Sequence, residues 1–210
     1  MQTYHHFQPL QLECGSVLNQ LHVGYHTHGK LNNERDNVIW ICHALTGDTN
    51  VAGWWPGLIG KEAPFDTDKY FIVCANMLGS CYGTTGPLSI DTATGQPYHH
   101  SFPPVTIRDM VAVHALLATH LGIKKIHLLA GGSMGGYLAI EWCVMHPRFI
   151  NRLFLIATSA QESAWGIAIH TAQRMAIEAD VTWNNNTGDA GKQGLKAARA
   201  IGMITYRSYK

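Results

Sequence analysis

Short apolar runs separated by stretches of helical spacing make up most of this chain. Alternating apolar and polar positions over residues 12–29, "LECGSVLNQLHVGYHTHG", predict an opening hairpin, closed by polar residues near 30–36. "NVIWIC" (37–42) and "YFIVCAN" (70–76) are continuous apolar runs, the pattern of strands covered on both faces. "KIHLLA" (125–130) and the stretch 150–157 predict two more. Between them, "TIRDMVAVHALLATHLG" carries helical spacing. Thr106 with Asp109 three residues on resembles a capping box, and Gly122 suits the residue after a helix. A second helix is predicted from Met134 to His146, stopped by Pro147.

Strands alternating with helices predict an α/β fold built on a mostly parallel sheet with crossover helices. Residues 77–105 interrupt this pattern with a long loop rich in Gly, Pro, Ser and Thr. A loop of that length inside a compact domain usually carries function, and its three aromatics favour an ordered one. After residue 160 the pattern changes again. "SAWGIAIHTAQRMAIEAD" is helical, "NNNTGDAG" is a polar loop, "GLKAARAIG" is a short helix, and no further strand follows. Two segments are therefore expected: a core over 1–160 and the start of a helical lid over 161–210.

Composition narrows the classes. With 46% hydrophobic and 14% charged residues among 210, the chain is globular and large enough for one sizeable core. A net charge of +1, with no Lys/Arg run, excludes a nucleic-acid footprint. No apolar run approaches the ~18 residues that span a bilayer, and "MQTYHHFQPLQLECG" lacks the basic start and apolar centre of a signal peptide. A cytoplasmic protein is expected. The five Cys form no C-x-x-C pair and read as reduced core thiols; no metal site is expected.

The sharpest motif is "HLLAGGSMGGYLAIEW" (127–142). Gly131-Gly132-Ser133-Met134-Gly135 fits G-x-S-x-G between a predicted strand and a predicted helix, the setting of a nucleophile elbow. The turn is so tight that Ser133 should take strained backbone angles, with Gly131, Gly135 and Gly136 present because side chains there would collide. Strain lifts the Ser133 hydroxyl above the sheet and puts the Met134 N–H at a helix N-terminus, where it can bind a developing oxyanion. A phosphate-binding turn needs G-x-x-x-x-G-K-[ST] or G-x-G-x-x-G, and neither fits. The second oxyanion donor should come from the loop after an earlier strand; "HALTGD" lies there, and the Leu45 N–H is the candidate. His43 is expected to shape that loop, because the base in this fold follows the Ser in sequence.

With these parts in place, the chain resembles the homoserine O-acetyltransferase family of α/β-hydrolase-fold acyltransferases. The resemblance rests on "CHALTGD", "WWPGLIG", "LGSCYGTTGPLSI", "FPPVTIRDMV", "GGSMGGYLAIEW", "IATSAQESAW", "AQRMAIEAD" and "GLKAARAIGMITYRS", from about Phe7 to Ser208. It implies an acetyl group passing from acetyl-CoA to Ser133 and then to the hydroxyl of L-homoserine, in methionine biosynthesis. It implies substrate contact by Arg199; Arg174 in "AQRMAIEAD" also matches the family and is expected to be structural. Acetyl-CoA is then a substrate and no cofactor is expected. Dimerisation through lid helices is also what the resemblance suggests.

One departure stands out. A triad on this fold runs Ser, Asp, His, and the family places both partners after the lid. Here only His146 and His170 follow Ser133, with Asp180 and Asp189 after them in the wrong order. His146 sits at the far end of the elbow helix, roughly 20 Å away at ~1.5 Å per residue. The expectation is a chain lacking the C-terminal part of the fold with its catalytic Asp and His, inactive or nearly so alone, and carrying an unprotected sheet edge. Three rival readings remain open. A serine esterase of the same fold would turn over without homoserine. An O-succinyltransferase of homoserine or serine would differ in acyl-pocket size. A non-enzymatic binding module would need no triad.

Overall fold

The computed structural model describes residues 1–207; the end of the expected lid segment, residues 208–210, lies outside the described residues. The chain divides into two compact units, Met1–Ala160 and Gln161–Lys210.

The first unit is organised by six strands: β1 (Gln2–His6), β2 (Leu21–His28), β3 (Val38–Cys42), β4 (Phe71–Ala75), β5 (Ile126–Gly132) and β6 (Leu153–Ile156). Their order across the sheet is β1-β2-β4-β3-β5-β6. The pairs β4–β3, β3–β5 and β5–β6 are parallel, whereas β1–β2 and β2–β4 are antiparallel. This is the sheet of an α/β-hydrolase fold. The apolar runs are fully buried in β3, and buried from the second residue onward in β4. In β3, Trp40 and Cys42 face the larger core, under helices α1 (Ile107–His120) and α2 (Met134–Met145), while Ile39 and Ile41 face a smaller one. Thr106 closes a full capping box with Asp109 at the start of α1, whose C-terminal turn is followed by Gly122 at φ 71°.

The structure departs from the sequence reading in three places. The opening hairpin is only a two-residue ladder, Leu10–Gln11 with Val17–Leu18. The long strand after it, β2, instead pairs with β1 and β4. β1 itself, "QTYHH", was not anticipated; it is a polar edge strand with no apolar alternation to betray it. The crossover from β3 to β4 contains only one helical turn, Val51–Trp54. Val51, Trp55, Leu58, Ile59 and Phe65 cover the second face of the sheet in place of a full helix.

The second unit is a pair of helices, α3 (Ala164–Glu178) and α4 (Lys192–Thr205). Gly194, Ala198 and Gly202 recur every fourth residue and are the buried residues of α4. A Cβ at Gly194 would overlap the backbone of Ala176 and Ile177, so the small stripe sets a close helix approach. Asp180 ties the loop to the helix start. It accepts from the Thr182 hydroxyl and N–H, and from the N–H groups of Gln193 and Gly194. Those bonds, the Thr182 hydroxyl foremost, hold its carboxyl down to about 2.

Candidate active site

Ser133 lies between the last residue of β5 and the first of α2, exposed, with φ 51° and ψ −122°. A non-glycine residue at positive φ holds on the order of 1–3 kcal/mol of strain and persists only where its surroundings over-determine it. Here its own peptide groups are pinned. The Ser133 N–H donates to the Ile156 carbonyl at 3.0 Å, and its carbonyl accepts from the Gly136 N–H at 2.9 Å and the Thr158 hydroxyl at 2.9 Å. The flanking glycines serve space rather than conformation, since neither Gly131 nor Gly135 has positive φ. A Cβ at Gly131 would meet the Gly135 carbonyl, and one at Gly135 would meet the carbonyl oxygens of Cys42 and His43. Gly136 lies against Thr158 in the same way.

The Gly135 contact brings the end of β3 against the first turn of α2. Immediately after β3, residues 44–47 form a turn closed by the Gly47 N–H donating to the Ala44 carbonyl at 2.9 Å. Leu45 takes the first corner, 73% exposed as a residue, and such a turn does not use the N–H of that corner. Met134 is the first residue of α2, where N–H groups have no intrahelical partner. His43 sits beneath the turn, buried, with Nδ1 2.8 Å from the Ala44 carbonyl. Because a carbonyl only accepts, Nδ1 carries the proton. Burial pulls His43 below the usual imidazole range, against the proton-favouring Ala44 carbonyl, Asp48 and Asn76.

The four His and Asp residues that follow Ser133 in sequence each sit in a local setting of their own. His146 caps the far end of α2. His170 pairs through Nδ1 with Glu162, Asp180 holds the start of α4, and Asp189 pairs with Lys192 at 2.9 Å. Arg199 lies exposed on α4, and Arg174 is exposed on α3 with Nη2 donating to the Thr171 hydroxyl at 3.0 Å. The thiols of Cys42 and Cys74 are pushed up by burial and stay protonated at neutral pH. Thr158 and Asn76 were missed in the sequence. A Thr after a strand carries no motif of its own, and Asn76 reads in the sequence as the last residue of a strand.

Residues 37–197 match the family model of the alpha/beta hydrolase fold. The chain is 48% identical over 200 residues to the homoserine O-acetyltransferase of Cyclobacterium marinum, covering 95% of this chain and 57% of that protein. The crystal structure of homoserine O-acetyltransferase from Bacillus anthracis superposes with a TM-score of 0.89 at 29% identity, over 97% of this chain and 60% of that one. Esterase E22 superposes equally well, with a TM-score of 0.89 at 30% identity over the same shares. The chain thus spans less than two thirds of the length of these relatives. No helix among the described residues is long and apolar enough to cross a membrane. The chain belongs to the α/β-hydrolase fold family and is similar along nearly all its length to homoserine O-acetyltransferases.

Proposed function

We propose, from that membership and likeness, that the chain carries the nucleophile side of a cytoplasmic acyltransferase of methionine biosynthesis. In this reading an acetyl group moves from acetyl-CoA to the hydroxyl of L-homoserine through a Ser133 acyl-enzyme. The Ser133 Oγ attacks the thioester carbonyl, its proton passing to a base. The C–S bond breaks, and CoA leaves as its thiol. The γ-hydroxyl of homoserine then attacks the acyl-enzyme in the same way, and the Ser133 proton returns. Each attack builds an oxyanion, received by the N–H groups of Leu45 and Met134; losing one such donor typically costs ~3 kcal/mol in the barrier. Arg199 contacts the substrate. In this reading the base and its carboxylate partner are supplied by residues other than His146, His170, Asp180 and Asp189.

The observation that carries the reading is the strained, exposed Ser133 pinned between β6 and α2, in a chain 48% identical to homoserine O-acetyltransferases. The likeness to esterase E22 supports a second reading, in which water takes the acyl group. The test is acetyl-CoA consumption by the whole protein with and without L-homoserine. CoA release that depends on homoserine and falls by on the order of 10⁴ or more in Ser133→Ala is the expected result. Equal release without homoserine selects the hydrolase, and full activity in Ser133→Ala defeats both.

A further inference from the structure

Buried polar groups that this chemistry leaves unused converge on Asn76. It follows β4 as His43 follows β3, and the register Ile41 to Cys74 sets the two side by side at the ends of neighbouring strands. Asn76 is fully buried. Its N–H donates to the Gly24 carbonyl of β2 at 2.9 Å. Its carbonyl accepts from the Thr84 hydroxyl at 3.2 Å and faces Nε2 of His114 on α1 at 3.4 Å. Its side-chain Nδ2 donates to the Tyr82 carbonyl in the Gly-rich loop.

What remains is a mismatch. The Asn76 Oδ1 and the His43 Nε2 are both buried without a hydrogen-bond partner among the described residues, though the two side chains interact. Since His43 Nδ1 holds its proton against Ala44, the neutral ring presents a lone pair at Nε2. The Asn76 oxygen, the other unpartnered atom at the ends of these neighbouring strands, is also an acceptor, so neither satisfies the other. Turning the amide over would give up the Tyr82 bond and put an oxygen against the Tyr82 carbonyl. Asn76 therefore bonds the Gly-rich loop and leaves two buried acceptors beside the Leu45 turn, and side chains of one buried polar network act non-additively.

We propose that Asn76 is a positioning residue that couples the Leu45 turn, through His43, to the Gly-rich loop, through the Tyr82 carbonyl, and so sets where the Leu45 N–H stands relative to Ser133. The inference rests on the acyl-enzyme reading. It requires that Asn76 act on turnover without touching substrate.

The test uses the whole protein with Asn76→Leu, Asn76→Asp, His43→Gln and the double variant Asn76→Leu/His43→Gln. Asn76→Leu lowers kcat by about 10- to 100-fold while KM for acetyl-CoA stays within about threefold, the pattern of a lost transition-state interaction. The double variant is no slower than the slower single one, because both act through one link. In ¹⁵N spectra His43 is the Nδ1–H tautomer in the parent protein and becomes imidazolium in Asn76→Asp, where a carboxylate faces Nε2. If Asn76→Leu does not fold, the Asn76→Asp spectrum decides. Additive effects in the double variant, a folded Asn76→Leu within twofold of parental kcat, or an unchanged His43 spectrum in Asn76→Asp each overturn the proposal. Activity surviving in Ser133→Ala defeats the acyl-enzyme reading instead, and leaves the His43 response to Asn76 standing.

Discussion

Two strands flank the one that carries Ser133, and their residues are nearly alike. β3 is Val-Ile-Trp-Ile-Cys and β6 is Leu-Phe-Leu-Ile. Every residue of β3 is buried, whereas Leu153, Phe154, Leu155 and Ile156 of β6 are 41%, 47%, 37% and 39% exposed. The contrast comes from neighbours. β3 lies between β4 and β5 and is covered on both faces, while β6 pairs only with β5 among the described residues. An apolar run thus reports a capacity for burial; the packing around it decides whether the capacity is used. Both strands nevertheless serve the elbow through backbone. The carbonyls of Cys42 and His43 abut Gly135, and the Ile156 carbonyl receives the Ser133 N–H.

Matched truncations break or confirm this contrast with the largest expected effect. Trp40 is fully buried and meets Trp142 edge-on at 5.0 Å between ring centroids. Removing it in Trp40→Ala should cost about 3–5 kcal/mol, the range for a large buried aromatic. Phe154→Ala, cutting a ring already half in water, should cost less than ~1.5 kcal/mol. Urea denaturation of both variants checks the pair. Equal losses would mean that β6 is packed as β3 is, and the comparison would fall.

The same contrast explains what was legible in the sequence. The four apolar runs, the α1 capping box and the G-x-S-x-G turn were readable because each is a local pattern with a local physical cause. Thr106 bonds to a residue three positions away, and Ser133 is strained by its own neighbours. β1 was not readable, since "QTYHH" is an edge strand held by backbone pairing to β2. Nor was the cover of the second sheet face by Val51, Trp55 and Phe65, which lacks any regular period. Thr158 and Asn76 went unseen for a third reason. Their roles lie in partners 25 and 6 residues away, Ser133 and Tyr82, and no spacing rule encodes those meetings. Arg199 shows the complementary limit, its assignment coming from resemblance to a family motif and not from spacing.

Acid should distinguish the two flanks next. The β3 side holds His43 and His114 in the core, and the β6 side holds no buried titratable group among the described residues. Burial lowers His114 to about 4 from 6.5, with His43 adding to the effect and the Asn76 carbonyl opposing it. The unfolded chain binds a proton below 6.5 that the folded one refuses until about 4. His114 therefore leaves stability intact above 6.5 and removes it as pH falls from 6.5 toward 4. One shift of that size is worth on the order of 3 kcal/mol at pH 4. His43, also lowered, works in the same direction. Denaturation midpoints from pH 7.5 to 4 should fall more steeply in the parent than in His114→Leu. Parallel curves would show that His114 takes up its proton as readily in the folded state as in the unfolded chain.

The smallest effect probes the β6 side at its one point of specific chemistry. Thr158 follows Ala157, a non-glycine residue at φ 48°, and its hydroxyl donates to the Ser133 carbonyl while its methyl lies against Gly136. Thr158→Val keeps the shape and removes the donor. The Ser133 carbonyl still accepts from the Gly136 N–H, so the group is not orphaned. The loss should be that of one net hydrogen bond, about 1 kcal/mol, or roughly 2–4 °C in melting temperature for a chain of this size. Turnover should fall more than stability suggests, by about 3- to 10-fold in kcat with KM nearly unchanged, because the lost bond restrains the nucleophile itself. Thr158→Ser, which keeps the donor, should restore kcat while remaining slightly destabilised. If Thr158→Val costs as much stability as Trp40→Ala, the β6 flank holds the elbow by packing after all. If kcat is unchanged, the strain at Ser133 is held by the glycine contacts and the Ile156 carbonyl alone.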